Sequence, residues 1–196
     1  MFHAADMFGV FQRHRGDAIV IPTGTSGSHW RDISTNEKRD ISIGGALGQT
    51  TSAALGLALA QPKVKVVLFD SEGALLINLG ALATVAGQQP RNFYHFLMDN
   101  ECYATTGGQP VPNAQNISYL ELAQGAGYAA AYEFDDLEEF AANVERILRE
   151  PGPTFVAMKI VPEVENEPIA RRPRRPARSR AEMIRDLRQE LGVAQR

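Results

Sequence analysis

Val64-Lys-Val-Val-Leu-Phe-Asp-Ser-Glu-Gly-Ala-Leu-Leu-Ile-Asn-Leu-Gly80 is the stretch whose reading decides the fold. Its first six residues form a short apolar run rich in β-branched side chains, of the kind buried on both faces of a parallel sheet. An acidic turn follows, and then a helix-like stretch over residues 75–87. The same order recurs on both sides. Strand-like runs occupy residues 17–22, 64–69, 93–98 and 154–161, with weaker candidates at 40–43 and 129–134. Helix-like segments occupy 47–60, 75–87, 119–125 and 137–149, with Ser118 and Asp136 as N-caps. Strand followed by helix, repeated five or six times, predicts an α/β fold. The expected architecture is a doubly wound, mainly parallel six-stranded sheet with helices on both faces, whose ligands sit outside the carboxyl ends of the strands.

Composition bounds what such a domain does. Twenty Lys plus Arg against 23 Asp plus Glu give a net charge of -3, which offers no general attraction for nucleic acid or an anionic membrane. A single cysteine closes no intrachain disulfide, and no apolar run approaches the roughly 20 residues a spanning helix needs. Residues 1–15 lack the apolar core of a signal peptide, so a soluble cytoplasmic protein is expected. The body, residues 1–162, is one domain; residues 163–196 are a different kind of chain. Six arginines lie between Arg171 and Arg180 among prolines, so this part of the tail is expected to be extended. Met183, Ile184, Leu187 and Leu191 then recur at helical spacing, an amphipathic helix in need of a docking surface.

Four loops at the carboxyl ends carry candidate chemistry. Thr23-Gly-Thr-Ser-Gly-Ser-His29 is a small-residue turn in which amides and hydroxyls can approach a phosphate, although alone such loops are more often ordinary turns. Gly44-Gly-Ala-Leu-Gly48 opens the next helix with little side-chain bulk, which suits either a flat ligand or tight helix packing. Asp70-Ser-Glu-Gly73 and Asp99-Asn-Glu-Cys102 bring acids and an amide to two strand ends, hard oxygen ligands for a Mg2+ that bridges phosphates. Caps and turns are the plainer reading of both. No Gly-x-Gly-x-x-Gly follows the first strand, which disfavours a dinucleotide-binding domain.

In order and spacing these four loops resemble the diphosphate-binding domain of thiamine diphosphate enzymes, above all the separate small subunit of sulfopyruvate and phosphonopyruvate decarboxylases. Ser71-Glu-Gly73 stands at that family's Gly-Asp-Gly, and Asp99-Asn100 at its second element. The flanking Leu76-Ile-Asn-Leu-Gly80 and Tyr103-Ala-Thr-Thr-Gly-Gly-Gln109 also fit, so the likeness covers about residues 17–161. It implies thiamine diphosphate and Mg2+ as cofactors, with Glu72, Asn100 and the Cys102 carbonyl as metal ligands. It places Thr23, Gly24, Thr25 and the Gly73 amide at the diphosphate, and the Gly45 carbonyl at the aminopyrimidine. Leu47 becomes the wedge that bends the cofactor, and Ala46, Ala74 and Tyr103 border it. His29 is a candidate to face substrate; His3, His14 and His95 read as structural.

Two departures stand out. Glu72 is one methylene longer than the family's aspartate, so Asp70 or a shifted metal could compensate, and Ala74 replaces a hydroxyl that many relatives carry. The resemblance also implies an activating glutamate on a second, pyrimidine-binding domain, for which a tail of 34 residues has no room. The expected protein is a subunit that decarboxylates a short 2-oxo acid, by aldehyde release or carboligation, within an α2β2 or larger assembly. The tail would then strap onto the partner subunit. The competing expectation is a non-catalytic structural or regulatory paralogue with a degenerate metal motif.

Overall fold

The computed structural model describes residues 1–24, 26–43, 47–167, 171 and 178–193. Its strands are β1 (Ile19–Pro22), β2 (Val66–Ser71), β3 (Phe93–Asp99), β6 (Ala130–Phe134) and β7 (Thr154–Lys159), with a small hairpin of β4 (Cys102–Tyr103) and β5 (Gln109–Pro110). The helices are α1 (Ala4–His14), α2 (Ser26–Ile33), α3 (Thr50–Ala60), α4 (Glu72–Ile77), α5 (Ala81–Gln88), α6 (Tyr119–Ala126), α7 (Leu137–Arg149) and α8 (Arg180–Glu190).

The main sheet has the order β1-β2-β3-β7-β6, and all of its pairs are parallel. Alternate side chains of β2 go to opposite faces, as the pleat requires. Val67 and Phe69 join a layer built by α1, Trp30 and α7, while Val66 and Leu68 join one built by α3, α5 and α6. Phe69 anchors the first layer, with ring centroids 4.8 Å from Phe8, 5.0 Å from Phe11 and 5.4 Å from Phe96. Ser118 and Asp136 cap α6 and α7 as expected, accepting from the amides of Glu121 and Glu139.

The sheet has five strands among the described residues, against the six expected. Residues 40–43 contribute a single bridge, Asp40 opposite Val20, with the Ile41 amide donating to the Val20 carbonyl at 3.0 Å. The residues before it are spent on a helical turn at Glu37–Arg39, and the Asp40 side chain turns into a buried ion pair with Arg15 at 2.6 Å. The single helix expected over 75–87 is two. Asn78 leaves helical geometry and donates its side-chain amide to the Gly48 carbonyl at 3.0 Å, which ends α4 before α5 begins. Two helices were not anticipated: α1, and α2, which starts inside the expected loop at Ser26.

The amphipathic helix expected in the tail is α8, and it docks on its own chain, with Leu187 4% exposed in the α3-side core. The Arg/Pro stretch at 172–177 lies outside the described residues.

The Arg15–Asp40 pair holds the C-terminal end of α1 to the loop that leads into the site. Arg15 Nη1 also donates to Ser34 Oγ at 2.9 Å, and burial pushes both partners toward their neutral forms while each pulls the other back. Removing one partner strands a buried charge. Asp40→Ala is expected to lower stability by about 3 kcal/mol in urea unfolding, whereas Asp17→Ala, at a neighbouring exposed site, is expected to change it little.

Candidate active site

β2 and β3 end level with each other, Asp70 opposite Leu97 and Ser71 opposite Met98, so the segments after them emerge side by side at the carboxyl edge. Glu72 is the first residue of α4 and is 1% exposed, with neither carboxylate oxygen holding a hydrogen-bond partner. Burial pushes its pKa from 4.5 up to about 8; the nearby Asp99 charge pushes the same way, and the amides of Glu72 itself, Asn100 and Cys102 pull back. The carboxylate therefore faces the Asn100–Cys102 turn. Asn100 is buried and its Oδ1 accepts from the Cys102 amide at 3.1 Å, a bond that sets the turn's shape.

This is the donor chemistry of a divalent cation: a carboxylate, an amide oxygen and a backbone carbonyl from one tight turn. Among the described residues no three His, Cys, Asp or Glu side chains cluster, so a mixed oxygen set is what the chain offers. A buried carboxylate without a partner is costly unless neutralised by a proton or a cation, and both oxygens of Glu72 are orphaned. The residues present thus fit a Mg2+.

Asp70, the alternative ligand, is committed elsewhere. Its Oδ1 accepts from the Ser71 amide at 2.9 Å and its Oδ2 from Thr51 at 2.8 Å, with His95 Nε2 3.3 Å away. His95 continues to the Tyr128 hydroxyl at 3.2 Å, which supports the structural reading of that histidine. Asp99 is paired too, with Lys159 Nζ at 2.5 Å. Cys102 keeps its thiol protonated, since burial and the charges of Glu72 and Glu101 raise its pKa.

The diphosphate loop divides into described and undescribed parts. Thr23 donates its hydroxyl to the Phe69 carbonyl at 3.0 Å and its amide to Ser26 Oγ at 2.7 Å, so it shapes the turn, and Gly24 takes a left-handed conformation. Thr25, Gly45 and Ala46 lie outside the described residues. Gly73 is roofed by Tyr103, whose Cε1 would stand 2.5 Å from any Cβ placed there. Ala74 is buried, and Leu47 is 54% exposed at the rim. Gly48, with φ +84°, presses close to Ile77, where a Cβ would come within 3.0 Å of Cγ2.

His29 sits on α2 with Nε2 3.0 Å from Glu163, beside Asn100 in a small cleft; His3 reaches the other oxygen of Glu163 at 3.2 Å. Sequence reasoning missed Glu163 as a site neighbour, and it missed Tyr119. The Tyr119 hydroxyl is buried without a partner, and burial with the Asp99 and Glu72 charges raises its pKa. An aromatic at the first position of a helix gave no signal that its hydroxyl would point toward this edge.

A five-stranded parallel sheet with paired oxygen-donor turns at its carboxyl edge defines a diphosphate-binding type of α/β domain. The chain belongs to the thiamine pyrophosphate enzymes: the family's C-terminal TPP binding domain matches residues 25–158. It is 38% identical over 125 residues to the sulfopyruvate decarboxylase subunit beta of Methanothermobacter thermautotrophicus, a match covering 64% of each chain. It is 33% identical over 148 residues to the phosphonopyruvate decarboxylase of Streptomyces viridochromogenes, covering 74% of this chain and 36% of that enzyme. This chain thus spans less than two thirds of the length of either relative. In fold it is similar to benzoylformate decarboxylase of Polynucleobacter necessarius, at a TM-score of 0.69 and 17% identity, over 83% of this chain and 33% of that one. No helix among the described residues is long and apolar enough to cross a membrane.

The orphaned Glu72 carries a pH signature. In the folded, metal-free protein it keeps its proton up to about pH 8, whereas the unfolded chain releases it near 4.5. Stability is therefore fully present below the lower value and is lost as pH rises toward the upper one, at up to about 1.4 kcal/mol per pH unit. Glu72→Gln removes that slope. In chelator-treated samples unfolded by urea, the variant is expected to be the more stable protein at pH 8 and to show no such gain at pH 4.5.

Proposed function

We propose that this chain is the diphosphate-binding subunit of a thiamine diphosphate- and Mg2+-dependent enzyme that decarboxylates a short 2-oxo acid. A separate pyrimidine-domain subunit would complete the site. The observation that carries the reading is the buried Glu72 carboxylate, unpaired at both oxygens and turned toward Asn100 and Cys102. Glu72, Asn100 Oδ1 and the Cys102 carbonyl would hold Mg2+. The Gly73 amide and the turn from Thr23 to Thr25 would hold the diphosphate, and the Gly45 carbonyl would orient the aminopyrimidine, with Ala46, Leu47, Ala74 and Tyr103 bordering it. When bound, thiamine diphosphate supplies an electron sink for the pair left behind as CO2 departs.

What this chain's residues do is hold and exclude. The turns that carry Glu72, Gly73, Asn100 and Cys102 follow parallel strands packed on both faces, so these donors are held before any ligand arrives. Leu47 and Ile77, 54% and 57% exposed, form an apolar rim at the mouth, a surface suited to cover by a partner. No residue of this chain stands out as the activating acid, which supports a composite site. The beta-subunit name of the Methanothermobacter relative is in keeping with that.

Calorimetric titration is expected to show thiamine diphosphate binding that requires Mg2+, abolished by Glu72→Ala and retained by Cys102→Ala, whose carbonyl remains. Native mass spectrometry of the protein from its own source should show a second chain together with the cofactor. Release of CO2 from a 2-oxo acid is expected only with that chain present. A lone oligomer that stays empty after titration with both ligands, or a Glu72→Asp variant that gains binding the parent lacks, would point instead to a non-catalytic paralogue.

A further inference from the structure

We infer that the C-terminal helix is an internal strap that holds the stem at residues 37–43 in place, and that Arg178 is the positioning residue that fastens it. The inference rests on the cofactor reading above only for what the stem serves. Residues 37–43 come directly before Gly45 and Leu47, which that reading assigns to the cofactor, yet the sheet holds them through one bridge at Asp40. A stem with so few ladder bonds needs other anchors, and α8 supplies them from outside.

The Arg178 guanidinium donates to the carbonyls of Glu37 and Asp40, the latter at 3.2 Å, and pairs with Asp186 on α8 at 3.0 Å. One planar fork thus ties two points of the stem to the helix. Ser179 and Glu182 form a capping box directly after it, which fixes where α8 starts and hence where Arg178 stands. Farther along, Arg39 reaches Glu190 at 3.5 Å, and Leu187 buries in the cluster against which Ile41 and Ile43 pack.

Arg178 and Met183 line a cavity of about 290 Å³ together with Pro22, Trp30, Ile41 and Ser42. Pro22 and Ser42 are the stems of the two turns assigned to the cofactor, so the tail sets the spacing between them. A stem held in place before binding spares the ligand the cost of ordering it. Lysine keeps the charge and loses the fork, so it cannot bridge both carbonyls and Asp186 together.

The protein's single tryptophan, Trp30, is 1% exposed and lines the same cavity, so it reports on the strap. The test uses the full chain as parent, Arg178→Ala, Arg178→Lys and Glu190→Gln. The readouts are acrylamide quenching of Trp30, amide exchange at residues 37–43, and thiamine diphosphate affinity with Mg2+. Arg178→Ala should make Trp30 more quenchable, speed exchange at 37–43 and weaken cofactor affinity by about tenfold, the loss of one charge-assisted contact. Arg178→Lys should recover only part of each, and Glu190→Gln should move all three in the same direction by less.

Unchanged quenching and exchange in Arg178→Ala would overturn the strap. A loosened stem with parental cofactor affinity would overturn its positioning role. A parent chain that binds no thiamine diphosphate would overturn the functional reading instead, while quenching and exchange would still decide the docking.

Discussion

Asp70 spends both of its carboxylate oxygens on hydrogen bonds within the fold, and the rest of the site depends on that. One oxygen takes the amide of Ser71 and the other takes Thr51, with His95 close by, so β2, the start of α3 and β3 are locked together at a single buried carboxylate. The lock fixes the chain direction at residue 71, after which α4 begins with Glu72 turned inward. A carboxylate that satisfies its hydrogen bonds within the fold is a structural element; one that cannot is a binding element. Asp70 and Glu72 lie two residues apart and fall on opposite sides of that line.

The parallel sheet was legible because its strands are uninterrupted apolar runs, which few other environments tolerate. β2, β3 and β7 fall within a few residues of where their Val, Ile and Phe content puts them, and the weak candidate at 129–134 proved to be β6. The sixth strand failed for a reason invisible in pattern: Asp40 is drawn into Arg15 from a helix 25 residues earlier in the chain, and a residue so held continues no ladder. α1 escaped notice because Met7, Phe8, Val10 and Phe11 come just before a strand and carry no capping residue at His3 to announce them. The break between α4 and α5 depends on a side-chain bond from Asn78 to Gly48, 30 residues away, which no local propensity encodes.

The candidate site residues divide along the same line. That Glu72, Asn100 and Cys102 come together was readable, because they follow two strand ends that lie side by side in a parallel sheet. Glu163 and Tyr119 were not, since each comes to the edge from a segment whose path is set by packing. Glu163 follows β7, and its partners His3 and His29 stand before α1 and on α2. Nothing in the spacing of three such distant residues joins them. Where the tail helix docks was unreadable for a related reason: an amphipathic helix says that it will dock, and the surface around Ile41 and Leu187 exists only after folding.

Charge balance explains why, of Asp70, Glu72 and Asp99, Glu72 is the one left without a partner. Asp99 is matched by Lys159 and Asp70 by hydrogen bonds, while Glu72 has neither, and the charge remaining on Asp99 makes a second anion beside it less favourable still. The extra methylene of a glutamate does not alter that logic, because the selection is made by the neighbours and the carboxylate only accepts it. With its pKa raised to about 8, Glu72 near neutral pH would give up its proton to any cation that took the proposed site, so that occupation and deprotonation would become one event. A diphosphate brings further negative charge to the same edge, and no described side chain there stands ready to neutralise it, Lys159 being held by Asp99. A metal at the proposed site would make the diphosphate tolerable, and the two turns that follow β2 and β3 would give it its place.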